Sequence, residues 1–213
     1  MEKYISKKEK ASYGFAAVGS YMVAGITQSY LMYFFTDILI IPSAFVMMLM
    51  IVARVWDALN DPMMGVIVDR TSTKYGKMRP YVLIGSFLML VTTIVLFMPL
   101  TGAPTMFKMI FAAVSYIIFG MAYTLTDVPA MGLMSVATPN SDERASLLSF
   151  YVTVGSVGSL LPVGLLTIFQ SFIPEKYVYF AMSIFVGIIT SAAYLTLFKN
   201  SKERFSTHTE KIA

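Results

Sequence analysis

Long apolar stretches alternate with short polar ones along the whole sequence. A helix needs about 20 apolar residues to cross the hydrocarbon core of a bilayer. Six stretches meet that length, at residues 11–38, 43–69, 80–99, 105–137, 144–170 and 177–198. The breaks between them carry turn and charge signals: IPS at 41–43, DRTSTKYGKMRP at 69–80, PLTGAP at 99–104, TPNSDER at 138–144 and FIPEKY at 172–177. Each break is short, so consecutive helices are expected to pack as antiparallel neighbours. The pattern predicts an all-α polytopic membrane protein. Residues 1–198 form one six-helix bundle, and 199–213 form a polar tail.

Composition agrees with this reading. Of the 213 residues, 57% are hydrophobic and 13% charged, whereas soluble domains run near 25% charged. The mean hydropathy is +0.70. The isoelectric point near 9.2 would suit a nucleic-acid partner, but the basic residues lie at the ends of apolar runs. The implied partner is the lipid bilayer and not nucleic acid. Lys3, Lys7, Lys8 and Lys10 precede the first run, and Arg70, Lys74, Lys77 and Arg79 follow the second. Arg144 and the tail residues Lys199, Lys202, Arg204 and Lys211 fall on the same side, against Lys108 and Lys176 on the other. The positive-inside bias then places both termini in the cytoplasm of a multi-pass cell-membrane protein. The run after MEKYISKKEK is too long for a signal peptide and is read as the first span. With no cysteine, disulfides and thiolate metal sites are excluded.

Some charges sit where a bilayer does not tolerate them. Arg54, Asp57 and Asp61 are spaced three and four apart, so they share one helix face, with Asn60 beside them. The fourth run adds Thr124 and Asp127, with Tyr123 adjacent. Each charge at mid-bilayer costs about 2.5–3.5 kcal/mol, so four facing lipid would cost on the order of 10 kcal/mol. They are therefore expected to face a protein-lined cavity. An ion pair between Arg54 and one aspartate accounts for one carboxylate and leaves two. Two carboxylates one turn apart in a low-dielectric site repel each other, and either a proton or a bound cation relieves the repulsion. Two carboxylates, an amide carbonyl and a hydroxyl would also supply the oxygen ligands a hard cation wants. The charges read as a site for Na⁺ or H⁺.

Enzyme readings fit less well. An intramembrane aspartyl protease needs its two aspartates on different helices, normally with a GxGD signature, and GxGD is absent. The one histidine, His208, lies in the polar tail, and no Gly-rich phosphate loop is present. No cofactor is implied beyond the coupling ion.

The stretch WDALNDPMMGVIVDRTSTKYGKMRPY at 56–81 closely resembles the second helix and following loop of the glycoside–pentoside–hexuronide:cation symporters. This is the family of melibiose permease, within the major facilitator superfamily. ASYGF at 11–15, YLMYFFTD at 30–37 and YTLTDVP at 123–129 match the same family in order and spacing. The resemblance covers essentially the whole chain. It implies one half of a major facilitator fold, built as a 3+3 inverted repeat, and cation-coupled transport of sugars or glycosides. It implies a cation site at Asp57, Asn60, Asp61 and Thr124, and sugar binding at Asp127 with Tyr123 and Tyr21. It also assigns Gly65, Asp69, Arg70, Gly76, Lys77 and Arg79 to a cytoplasmic gate loop.

Three positions depart from the family pattern. Its sugar-binding Asp on the first helix falls at Tyr21, its Arg on the fifth at Val152, and its stacking Trp at Met131. The cation half of the site is intact and the sugar half altered. KNSKERFSTHTEKIA resembles the polar linker between the two six-helix halves of family members. The chain is expected to act with a second half or a homodimer mate. The alternative is a truncated, non-transporting fragment that acts only as a partner of a second half.

Overall fold

The computed structural model describes residues 4–205; the tail positions beyond, including His208 and Lys211, lie outside the described residues. Among the described residues there are six helices: α1 (Lys7–Tyr33), α2 (Ser43–Arg70), α3 (Arg79–Leu96), α4 (Thr105–Ala137), α5 (Ser141–Gln170) and α6 (Glu175–Asn200). A π-helical turn, Phe34–Ile38, extends α1. Most helices overrun the apolar stretches because capping is a polar matter. Ser6 accepts the Glu9 amide and starts α1 four residues before the first run. Asn140 does the same for α5, accepting from Asp142 and Glu143. Pro42, Pro104 and Pro174 stand immediately before α2, α4 and α6, where a missing N–H costs nothing. α3 is shorter than its run: it ends at Leu96, and the chain turns through 97–104.

Among the described residues five helices, α2 to α6, are long and apolar enough to cross a membrane. The first expected span is helical but falls short of that apolar content. Its 27 residues carry Ser12, Ser20 and Thr27 on buried positions.

The expectation that consecutive helices pack together is only partly met. α3 packs on α4, but α2 packs chiefly on α4, and α1 packs on α5 and α6. A short connection joins two helices at one end and does not force contact along their length. Close backbone approach chooses the partners instead. A side chain at Gly158 would meet the Val18 carbonyl oxygen at 2.7 Å, and one at Gly25 the Ser159 carbonyl oxygen at 2.6 Å. Small residues at both points let α1 and α5 touch backbone to backbone.

The principal interfaces also have a symmetry. Exchanging α1–α3 with α4–α6 turns the α1–α5 contact into α4–α2, turns α1–α6 into α4–α3, and leaves α3–α6 in place. This is the contact pattern of a 3+3 repeat. The apolar core is divided in two. One cluster, around Phe34, Leu96 and Val186, fills the end where α1 meets α2. The other, around Tyr13, Leu133 and Leu197, fills the opposite end. Between them runs a polar waist that includes Ser20, Tyr123, Thr124, Asp127 and Thr190.

Candidate functional site

A cavity of about 710 Å³ opens at this waist, lined by α1, α2 and α4. Asp57, Asp61, Thr124, Tyr123 and Asp127 all line it, as does Arg54. Helical periodicity brings the α2 residues onto one face, and the α2–α4 contact carries Asp61 to the fourth helix. There Thr124 Oγ1 donates to Asp61 Oδ1 at 2.8 Å. Asp57 faces Gly120 of α4, whose missing side chain leaves room for the carboxylate. Arg54 Nη1 lies 3.9 Å from Asp57 Oδ2, with side chains 70% and 36% exposed. At that distance and exposure the pair is a weak one. It does not neutralise Asp61 or Asp127.

Asp127 sits deeper, held by hydroxyls. Ser20 donates to Asp127 Oδ1 at 3.0 Å, Tyr194 to the same oxygen at 3.5 Å, and Ser20 shares a 3.2 Å bond with the Tyr123 hydroxyl. The site thus has an oxygen-rich pair of carboxylates near α2 and a hydroxyl-anchored carboxylate further in. Acceptors and hydroxyls at this spacing can take a small cation at one end and a polyhydroxylated ligand at the other.

Not every expected residue arrives there. Asn60 does not line the cavity, and its amide nitrogen is buried without a hydrogen-bond partner among the described residues. Tyr21 is also absent from the lining. It packs on Gly155 and meets the Tyr151 ring edge-on at 6.3 Å. Val152 and Met131 are exposed. The residues assigned to a gate loop divide between elements. Gly65, Asp69 and Arg70 belong to α2, Arg79 opens α3, and Gly76 and Lys77 lie in the connection. The helix continues to Arg70 because nothing in VIVDR breaks it.

Other residues enter the site without having been singled out. Thr27, Gln28 and Trp56 line the cavity, and the Trp56 indole N–H is buried without a partner among the described residues. Ser20, Thr27 and Gln28 lie seven and eight positions apart, a polar stripe along an otherwise apolar helix that periodicity alone could have flagged. Lys108 is buried at 6% exposure and donates to the Leu39 carbonyl at 2.9 Å, capping the end of the first helical segment.

The sequence profile of a family described as MFS/sugar transport protein matches residues 12–212. The chain is 34% identical over 208 residues to the uncharacterized symporter YjmB of Bacillus subtilis, covering 95% of this chain and 45% of the relative. It is 34% identical over 161 residues to the inner membrane symporter YicJ of Escherichia coli, covering 74% of this chain and 34% of the relative. An isoprimeverose transporter of Lactiplantibacillus pentosus is 28% identical over 204 residues, covering 93% and 42%. The chain spans less than half the length of these relatives.

Proposed function

The chain belongs to the MFS/sugar transport protein family, and from that premise we propose that it supplies the cation-binding half of a cation-coupled symporter for sugars or glycosides. The observation that carries the reading is the Thr124–Asp61 bond in the wall of a cavity that also holds Asp57 and Asp127. An oxygen-only set with surplus negative charge attracts Na⁺ or H⁺. Asp127, anchored through one oxygen by Ser20 and Tyr194, keeps acceptor capacity for a ligand hydroxyl. Tyr123 is the neighbouring donor. The isoprimeverose transporter among its relatives supports a glycoside as the ligand class.

In this reading the cavity is completed by a second six-helix half or a homodimer mate. α2 and α5 present mostly exposed apolar side chains, among them Met48, Ile51, Val55 and Leu160. Without such a cover Asp57 and Asp61 would meet lipid. Both termini lie in the cytoplasm. With Tyr21, Val152 and Met131 in place of the charged and stacking residues of the family pattern, simple galactosides bind weakly. The test is sodium- or proton-dependent glycoside uptake in vesicles by the chain joined to, or co-expressed with, a second half. Uptake that ignores both gradients, or that survives replacement of Asp57 and Asp61 together by Asn, would overturn the proposal.

A further inference from the structure

The start of α3 has no local cap. Met78, the residue before it, makes no side-chain bond to the helix, yet the first amides of a helix lack intrahelical acceptors. The amide of Arg79 and the two just before the helix are satisfied from the far end of the chain, while those of Tyr81 and Val82 donate to the Met78 carbonyl. Glu203, just beyond α6, accepts the backbone N–H of Lys77 at 2.8 Å, of Met78 at 2.9 Å and of Arg79 at 3.0 Å. The carboxylate also meets the positive end of the α3 dipole, and its bonds are charge-assisted. Gly76 makes the seat possible. Its φ of +105° suits glycine, and any side chain there would collide with the Glu203 carboxylate.

The next residue grips a different part of the bundle. Arg204 donates to both oxygens of Glu9, at 2.9 and 2.8 Å, and Glu9 is only 1% exposed. The amides of Arg204 and Phe205 donate to the Val136 carbonyl near the end of α4, at 3.3 and 3.1 Å. From the other direction, Arg79 donates to the Phe198 carbonyl at 2.7 Å and lies over the Phe198 ring.

We propose that Glu203 and Arg204 form a two-hook clasp that seats the α2–α3 connection and links its position to Glu9 of α1 and the end of α4. The hooks are adjacent in sequence, so movement that draws Arg204 from Glu9 also draws Glu203 from the amides of Lys77, Met78 and Arg79. The connection then loses its cap and the seat of Lys77, whose ammonium donates to the Asp69 carbonyl at 3.3 Å. The clasp is a conformational link between the α2–α3 connection and the cytoplasm-facing ends of α1 and α4 as oriented above. It adds to the gate-loop reading, but its test reads amide protection and not uptake, so the two fail separately.

The experiment is site-resolved hydrogen–deuterium exchange on the full chain in detergent. In E203A the amides of Lys77, Met78 and Arg79 should exchange at least ten-fold faster than in the unmodified chain, and in E203Q by a smaller factor. E9A should speed exchange at Arg204 and Phe205, and through the linkage at 77–79 as well. Unchanged exchange at 77–79 in E203A would overturn the cap, and unchanged exchange there in E9A would overturn the linkage. A readout on the unmodified chain guards against variants that do not fold. Trypsin should cut slowly after Lys77 relative to the exposed Lys74, and cutting after Lys77 at the same rate or faster would contradict the clasp.

Discussion

Thr124 on α4 donates to Asp61 on α2 across 2.8 Å, so a hydroxyl and a carboxylate from two helices meet where the proposed cation would bind. A hydrogen bond to a charged group contributes about 1.5–3 kcal/mol, and about 1.4 kcal/mol is a factor of ten in affinity. T124A is therefore expected to raise the cation concentration for half-maximal ligand binding by about ten-fold or more. T124S, which keeps the hydroxyl, should stay near the unmodified value, and D61N should remove the dependence. Sodium titration of ligand binding, with the chain joined to a second half, decides between these outcomes. An unchanged midpoint in T124A would place the cation elsewhere.

Trp56 is the single tryptophan of the chain and lines the cavity with an indole N–H that has no partner among the described residues. A ligand entering the cavity should change its fluorescence in intensity or wavelength, and W56F should abolish the signal. Saturating binding, measured independently, with no change in emission would show that the ligand occupies another place.

At Gly25 and Gly158 the nearest obstacles to a side chain are backbone carbonyls, which cannot rotate away. G25A and G158A should each destabilise the bundle by about 1–3 kcal/mol, the usual range for overpacking. G164A in α5, with nothing nearby, is the control and should be neutral or slightly stabilising. Thermal melts in one detergent compare the three. Equal melting temperatures would mean that the α1–α5 contact is looser than described.

The chain has no native cysteine, so single cysteines report topology without background. The proposed cytoplasmic placement of both termini requires that a cysteine at Ser6 be shielded from an impermeant thiol reagent added outside intact cells. One at Thr101 should label. The reverse result would invert the orientation.

The sequence carried the existence of the helices because twenty apolar residues in a row have few other uses. It carried the carboxylates for a related reason, since Asp57, Asp61 and Asp127 are too costly at such positions without a protein environment. What it did not carry was partnership. That α1 would seek α5 depends on Gly25 and Gly158 meeting facing backbone, and that it would seek α6 on Gly19 meeting Thr190, which no local pattern encodes. Glu203 escaped for the same reason: it caps amides more than a hundred positions earlier, beyond the reach of any capping-box motif. Tyr21 was drawn toward the ligand by a family position alone, and its ring lies over Gly155 of α5, off the cavity lining.

The pairing of α1 with α5 and α6 also sets an order of assembly. α1, the least apolar of the six, leaves the ribosome first, and its partners follow only after about a hundred more residues. At roughly 5–20 residues per second, that is a delay of about 5–20 seconds. During it Ser20 waits for Tyr123 and Asp127 of α4, while Ser12 and Thr27 bond carbonyls of their own helix. α1 must then either linger at the insertion machinery or wait at the lipid interface until α5 and α6 emerge. Of these six helices the earliest made is then the last to settle, and faults later in synthesis, at Gly158 or in α6, would be felt as failed insertion of α1.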